Sequence, residues 1–433
     1  MTPQGTFMIL APIVLSRAAE LRGLLNSMNE APGSVNPNNP LVPFAQFDTL
    51  HFARFVILDD KTVGDLRIYG LPVRNFPLYL AFLGDIDGEE EAFLNDLVRR
   101  ASDGLRAIFS CCHGFASNTD LMAWMKLLRS PASAVYVNTR GRTVRRIREE
   151  AALQDAIESH LASQASSFEG LPARESHAQL KRFVEAEKSA GRLTLSDEEA
   201  TPLGWWIRKM LHLICMPLFL LLASPLLILI APFYLFQLRR LEKTDPEPYI
   251  VVDDDHFETL AKAEDHDVTN PYSALGSLKP GLLRRVTLKG VLLAIDYATR
   301  HIIKPGRLGR VRTIHFARWV MIGGNERLSF FSNYDGGNES YMDDFINKLG
   351  FGLNIFTSNG IGYPRTDWLL QGGSADERRF KEFQRRHTVL AQVWYKAYPG
   401  LTAVDLERNT CIRRGLESSL ISEQEAREWL ALL

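Results

Sequence analysis

The sequence predicts an α+β fold: two ferredoxin-like modules, each reading β-α-β-β-α-β, forming a barrel, with a hydrophobic membrane-inserted helical hairpin between them. Three observations carry this. His51-Phe52-Ala53-Arg54-Phe55-Val56 recurs as His315-Phe316-Ala317-Arg318-Trp319-Val320. Each copy is followed by an apolar stretch ending in Asp-Gly, at Asp87-Gly88 and Asp335-Gly336. Between the copies, Met210 to Leu238 is almost continuously apolar. A repeat longer than the short solenoid periods reads as one folding unit duplicated, so function is sought between matching halves.

The repeat extends in both directions from the two tetrads. Upstream, Phe7 to Val14 reads as a strand and Ser16 to Met28 as a helix, with Leu21, Leu24 and Leu25 spaced for one apolar face. The same offset places a strand at Tyr272 to Leu278 and a helix at Leu282 to Ile303. Downstream, Leu78 to Leu83 and Leu328 to Phe331 are β-rich runs able to pair with their tetrad strands as hairpins. Glu89 to Arg100 and Gly337 to Leu349 follow as helices, with Phe93, Leu94 and Leu97 matching Tyr341, Met342 and Phe345. Ala134 to Val137 and Ala391 to Tyr395 supply the last strands, leading into helices at Ile147 to Leu161 and Leu406 to Leu420. This is the ferredoxin-like order. The first half inserts Lys61 to Pro77, ending in Asn75-Phe76-Pro77, where the second turns at Gly323-Gly324-Asn325; such a loop is expected to cover one mouth of a cavity. The resulting division is module 1 at 1–165, a helical linker at 166–204, the hydrophobic segment at 205–243, an acidic linker at 244–267 and module 2 at 268–433.

Two fused ferredoxin-like modules with facing sheets resemble the dimeric α+β barrel superfamily, which includes dye-decolorizing peroxidases and chlorite dismutase-like proteins. Gly84-Asp85-Ile86-Asp87-Gly88 fits the Gly-x-x-Asp-Gly signature of the peroxidases, whereas the second half has Ser332 in place of the first glycine. The resemblance implies a haem cofactor and a peroxidase or oxygenase activity, with Asp87 as the acid that helps to split peroxide.

Composition narrows the function classes. The chain has 433 residues with 46% hydrophobic and 23% charged side chains, ordinary for a globular protein carrying one membrane element. Fifty Lys and Arg against 51 Asp and Glu argue against a general nucleic-acid binder. Cys111, Cys112, Cys215 and Cys411 have neither a disulfide framework nor zinc spacing, which suits a reducing compartment. The apolar run Phe7 to Leu15 has no basic residue before it and does not read as a signal peptide, so a cytoplasmic placement is expected.

The central segment meets the length of one membrane span, about 20 residues. Trp205, Trp206, Arg208 and Lys209 flank it on one side and Tyr234, Arg239, Arg240 and Lys243 on the other, the residues expected at a headgroup interface. Two modules that build one barrel must lie on one side, and two full spans would need roughly 40 residues. Pro217, Pro225 and Pro232 are spaced to break a helix, with Ser224-Pro225 at the midpoint. The expectation is a shallow hairpin in one leaflet, on the cytoplasmic face, with a homo-oligomer contact as a further means of shielding it. From Lys279 to Arg312, nine Lys or Arg residues face the single acid Asp296, which suits either an anionic leaflet or a solvated helix face.

Strand alternation puts His51 and Arg54 on opposite faces, and likewise His315 and Arg318, so histidine and arginine of one tetrad do not line the same cavity. An inward arginine face gives a cationic pair, Arg54 and Arg318, suited to a carboxylate or haem propionate. An inward histidine face gives a ligand or proton shuttle. His113, His301 and His387 are further candidate haem ligands that the sequence does not rank. The plainer reading is that residues kept in both halves serve the fold, and that Asp87 and Asp335 cap the helices they precede. The leading reading is thus a membrane-attached barrel holding an apolar or haem-like small molecule, with possible peroxidase-type chemistry on lipid-derived substrates. Its rival is a non-enzymatic membrane scaffold or lipid-binding module that recruits a protein partner. A polar cavity of roughly 300 Å³ or more would favour the first, and a packed interior the second.

Overall fold

The computed structural model describes residues 1–31, 33–73, 76–246, 254–303, 306–418 and 421–433. Asn75 of the insertion and Lys304 of the basic stretch lie outside the described residues, as does part of the acidic linker. The first half contains β1 (Gln4–Pro12), α1 (Ala18–Asn26), β2 (Leu50–Leu58), β3 (Tyr79–Asp87), α2 (Glu90–Phe109), β4 (Ala134–Val137) and α3 (Val144–Ser163). Helices α4 (Ala173–Ser189) and α5 (Leu203–Thr244) follow. The second half contains β5 (Thr269–Ser277), α6 (Leu282–His301), β6 (Ile314–Ile322), β7 (Arg327–Asp335), α7 (Asn338–Thr357), α8 (Glu377–His387), β8 (Ala391–Lys396), α9 (Ala403–Glu417) and α10 (Glu423–Leu430).

The fold is α+β, with antiparallel sheets and one long apolar helix, as the sequence indicates. Among the described residues the strands do not close into a single barrel. They form two four-stranded sheets, in the orders β1-β3-β2-β8 and β4-β6-β7-β5. Neither half is a self-contained ferredoxin-like unit, because the last strand of each half joins the other half's sheet. Trp394 of β8 pairs with Arg54 of β2, and Val135 of β4 pairs with Arg318 of β6. The segments just before these strands still bond to their own half: Ser130 N donates to Met8 O at 2.9 Å, and Val389 N to Ser273 O at 2.8 Å. Each fourth strand therefore turns a corner from one sheet to the other.

Strand formation follows local chemistry. All nine residues of β2 are buried, because its two faces meet different cores. The β6–β7 turn passes through Gly323, Gly324 and Asn325 at φ of 58°, 67° and 66°, a left-handed run that glycine and asparagine tolerate. Both hairpins carry a bulge at the tetrad histidine: His51 lies between Leu50↔Ile86 and Phe52↔Asp85, and His315 between Ile314↔Tyr334 and Phe316↔Asn333.

Side chains fill the space between and around the sheets. Met8, Val56, Leu83, Leu275, Val320 and Phe331 meet between them. Leu25, Phe55, Phe82 and Leu97 belong to the core under α1 and α2, and Leu288, Trp319, Phe345 and Phe380 to the core under α6, α7 and α8. The expected helical linker is α4, which joins α3, α9 and α10 in a satellite core containing Leu153, Leu180, Ile412 and Trp429. The Lys61–Pro77 insertion clamps the second half: Asp65 pairs with Arg386 of α8 at 2.8 Å, and neighbouring Asp60 with Arg327 at 2.7 Å.

Strand exchange has a direct consequence for folding. Residues 1–165 expressed alone leave β4 without β6, and β2 without β8. We expect each half to be aggregation-prone by itself and the two to co-purify when co-expressed, read by affinity capture of a tag on one half. Two independently soluble, non-associating halves would contradict the exchanged sheets.

The hairpin expectation is corrected. Leu203–Thr244 is one continuous 42-residue helix through Pro217, Pro225 and Pro232, about 63 Å long at 1.5 Å per residue. Proline removes the bond to the carbonyl four residues earlier. At the midpoint that carbonyl is Leu221 O, and the Ser224 hydroxyl donates to it at 2.7 Å, which compensates for the N–H that Pro225 lacks.

Candidate functional site

The arginine face is the inward one. Arg54 reaches from β2 across to the other sheet, donating to Tyr272 O at 2.8 Å, Ser332 O at 2.9 Å and Asn333 Oδ1. Arg318 does the same in reverse, donating to Phe7 O at 2.8 Å, Gly84 O at 2.9 Å and the Asp85 carboxylate. Phe7 and Tyr272 occupy matching positions, as do Gly84 and Ser332, and Asp85 and Asn333. Asn333 Nδ2 donates to Asp85 Oδ2 at 2.9 Å, joining the two clamps. The network thus holds two guanidinium groups and one carboxylate. Burial pulls Arg54 below its ordinary value, to about 9, with the Asp85 charge opposing and the Arg318 charge adding. Trp394 lies under Arg54, with the guanidinium 4.9 Å from the ring centroid.

Histidine and aspartate also pair in both halves, and the bulge at each tetrad histidine overturns the expected alternation: Asp87 lies two residues beyond Asp85 on β3, and the His51 ring reaches the other sheet, 5.4 Å from Phe316. His51 Nε2 lies 3.0 Å from Asp87 Oδ1, and its Nδ1 lies 3.2 Å from the Tyr398 hydroxyl. His315 Nε2 lies 2.6 Å from Asp335 Oδ1. Capping is the second role of each aspartate, but of a different helix from the one expected. Asp87 Oδ2 accepts from Val144 N, at the start of α3, and Asp335 Oδ2 from Ala403 N, at the start of α9. Thr143 and Thr402 cap the same helices from their own N-cap positions. Histidine, aspartate and helix start thereby fasten each tetrad strand to the helix that follows the exchanged strand.

The Asp335 carboxyl is buried, which acts to raise it. Its electrostatic interaction with His315 and hydrogen bonds from His315, Thr269 and Ala403 N–H outweigh burial and hold it below its ordinary value. A depressed acid stabilises the folded state above its unfolded pKa, about 3.9, and that contribution is lost as pH falls through the folded value. Acid titration followed by near-ultraviolet circular dichroism should show stability declining below about pH 4, with a flatter decline in Asp335→Asn. An unchanged acid limb would count against the pair.

The remaining histidines are dispersed. His113 is exposed in the loop after α2. His387 is buried, its Nδ1 2.8 Å from Phe383 O, beside an apolar cavity of about 70 Å³ lined by Tyr272, Phe330, Phe345 and Phe383. His301 ends α6 and meets His212 of α5, Nε2 to Nδ1, at 2.8 Å. Burial, and then the charges of His212, Lys209, Arg140 and Arg300, hold His301 below its ordinary value. His51 has both ring nitrogens engaged, the arginine pair bonds protein carbonyls, and the cavity beside His387 is far below the 300 Å³ or more that ligand sites occupy. His51, Arg54, Arg318 and His387 do not fit a haem, and His301, which lines a cleft of about 390 Å³, has its Nε2 engaged by His212. Among the described residues no group of three or more His, Cys, Asp or Glu could hold a metal ion.

Sequence reasoning missed Asp85, Asn333, Tyr398 and the His212–His301 contact. Asp85 and Asn333 carried little signal of their own, since the matched hairpins also differ at Gly84/Ser332 and Ile86/Tyr334. Compared with known protein families, curated proteins and solved structures, the chain matches none.

What distinguishes the molecule is its surface. On α5, Leu222 and Leu229 are 73% and 77% exposed, and the apolar stretch around them is uncovered. Both ends of this helix are tied to the same body. Near its start, Arg208 pairs with Glu89 at 2.6 Å and Leu213 O accepts from the Tyr297 hydroxyl at 3.2 Å. Near its end, Tyr234 and Thr287 share a hydrogen bond of 2.8 Å, and buried Glu242 accepts from Trp368 N and Leu369 N. Tyr297 and Thr287 both belong to α6, whose own Leu282, Val286 and Leu293 are exposed.

Proposed function

We propose that this protein is a monotopic membrane scaffold, attached to one leaflet by α5 and the exposed apolar residues of α6, whose α+β body is a solid platform for recruitment. The observation that carries it is a helix apolar on all sides, uncovered along its middle, with both ends held by one body. Water is a poor solvent for such a surface, and a helix apolar all round belongs in lipid or in a protein interior. A body that holds both ends cannot lie on opposite sides of a bilayer. The basic flanks Arg208, Lys209, Arg239, Arg240 and Lys243 support a cytoplasmic leaflet for both ends. The filled space between the sheets and the structural use of Arg54, Arg318, Asp87 and Asp335 favour a scaffold over an enzyme with a site between the sheets; the polar cleft of about 390 Å³ at the start of α5 is a separate place for a ligand. The body is read as two β-α-β-β-α-β units that have exchanged their fourth strands, a variation on the ferredoxin-like theme.

Flotation tests the attachment. Protein mixed with phosphatidylcholine vesicles and freed of detergent is expected to rise with the vesicles through a density gradient. A stable, soluble species that stays at the bottom, whether monomer or an oligomer that covers α5 with itself, would overturn the proposal.

A further inference from the structure

We infer that the cleft at the foot of α5 binds a phosphate-bearing anion, which at a membrane is the headgroup phosphodiester of an anionic glycerophospholipid; this deepens the membrane reading and rests on it. The cleft has a volume of about 390 Å³, within the range of small-ligand sites. It is built where the first turns of α5 and the end of α6 meet β1, β4 with the loop after it, and the entry to α2.

Four cations line it, Arg140, Arg208, Lys209 and Arg300, against the acids Glu89 and Glu90. Two of the cations are already answered, Arg208 by Glu89 at 2.6 Å and Arg300 by Asp296 at 2.8 Å. Glu90 is paired with Arg129. Among the described residues, Lys209 and Arg140 form no ion pair. The Lys209 ammonium sits 5.2 Å from the Trp205 ring centroid, and Arg140 donates to the backbone carbonyl of Arg300 at 2.6 Å. Burial, offset in part by Tyr136 and reinforced by Arg300, holds Arg140 below its ordinary value, a penalty that a bound anion would relieve. Two cations without an ion pair, in a cleft whose carboxylates Glu89 and Glu90 are already paired, are suited to a phosphate.

Position selects the source of that phosphate. Trp205 and Trp206 stand at the start of the apolar stretch of α5, where aromatic residues mark a headgroup level. A headgroup seated between Lys209 and Arg140 leaves its acyl chains free to run along the uncovered apolar surfaces of α5 and α6.

The test is a titration of the full-length protein in neutral detergent with dihexanoyl phosphatidylglycerol, followed by tryptophan fluorescence. Saturable binding is expected, with dihexanoyl phosphatidylcholine markedly weaker. Lys209→Gln, at a partly exposed position, should weaken binding about fivefold, and Lys209→Gln with Arg140→Gln roughly 25-fold. Arg310→Gln, exposed and outside the cleft, should leave binding unchanged. Inorganic phosphate is added as a competitor: displacement supports a site for phosphate itself, and no displacement supports recognition of the whole headgroup. Equal binding of the two lipids, no saturable binding, or unchanged affinity in the double variant would overturn the inference. Flotation with phosphatidylcholine vesicles does not depend on the cleft, so failure of the headgroup site and failure of membrane attachment are read separately.

Discussion

Arg318→Met is expected to destabilise the body by about 3–5 kcal/mol, because it leaves the buried Asp85 carboxylate without its cation. Phe7 O and Gly84 O lose their donor in the same step. Replacing both charged partners, Arg318→Met with Asp85→Leu, should cost less than the single change, since an apolar pair of similar volume avoids burying charge. Arg54→Met is expected to be milder than Arg318→Met, because its side-chain partner Asn333 is neutral; each buried acceptor it leaves unmade costs about 1–3 kcal/mol. Denaturant midpoints in detergent, followed by near-ultraviolet circular dichroism, give the ranking. A change of under about 0.5 kcal/mol for Arg318→Met, typical of a surface site, would contradict a central role for the clamp. A ligand-binding function for the arginine pair would instead leave stability intact.

The second large effect concerns α5. Leu222→Arg with Leu229→Arg places two charges in the uncovered part of the helix, at positions far from the body. Each costs about 2.5–3.5 kcal/mol at the centre of a membrane helix, so the pair should move the protein from the membrane to the soluble fraction. The near-ultraviolet spectrum should be unchanged, because both side chains point away from the folded core. Retained flotation would mean that α5 does not carry the attachment.

The element order was legible in the sequence because duplication prints each element twice: Gln4–Pro12 answers Thr269–Ser277, and Leu50–Leu58 answers Ile314–Ile322. Strand exchange was not, since nothing in Ala134–Val137 or Ala391–Lys396 distinguishes pairing within a half from pairing across halves. The prolines of α5 signalled a break, yet the Ser224 hydroxyl supplies the Leu221 carbonyl with a donor and the helix runs on. Capping by Asp87 and Asp335 was read correctly in kind. The capped helices are α3 and α9, and the exchanged strands that bring them there were invisible to a local rule. Alternation predicted opposite faces for His51 and Arg54, but the bulge at His51 resets it and turns the ring toward Phe316 of the other sheet.

The central claim is that both ends of α5 lie on one side of the membrane. It is tested most directly with single cysteines at Leu203→Cys and Lys243→Cys, each in a background carrying Cys215→Ser and Cys411→Ser. Protein is added from outside to sealed vesicles and exposed to a membrane-impermeant maleimide. Equal and rapid labelling of both positions is expected. Labelling of one position with protection of the other until the vesicles are opened would show a helix that crosses the bilayer, and would contradict the account.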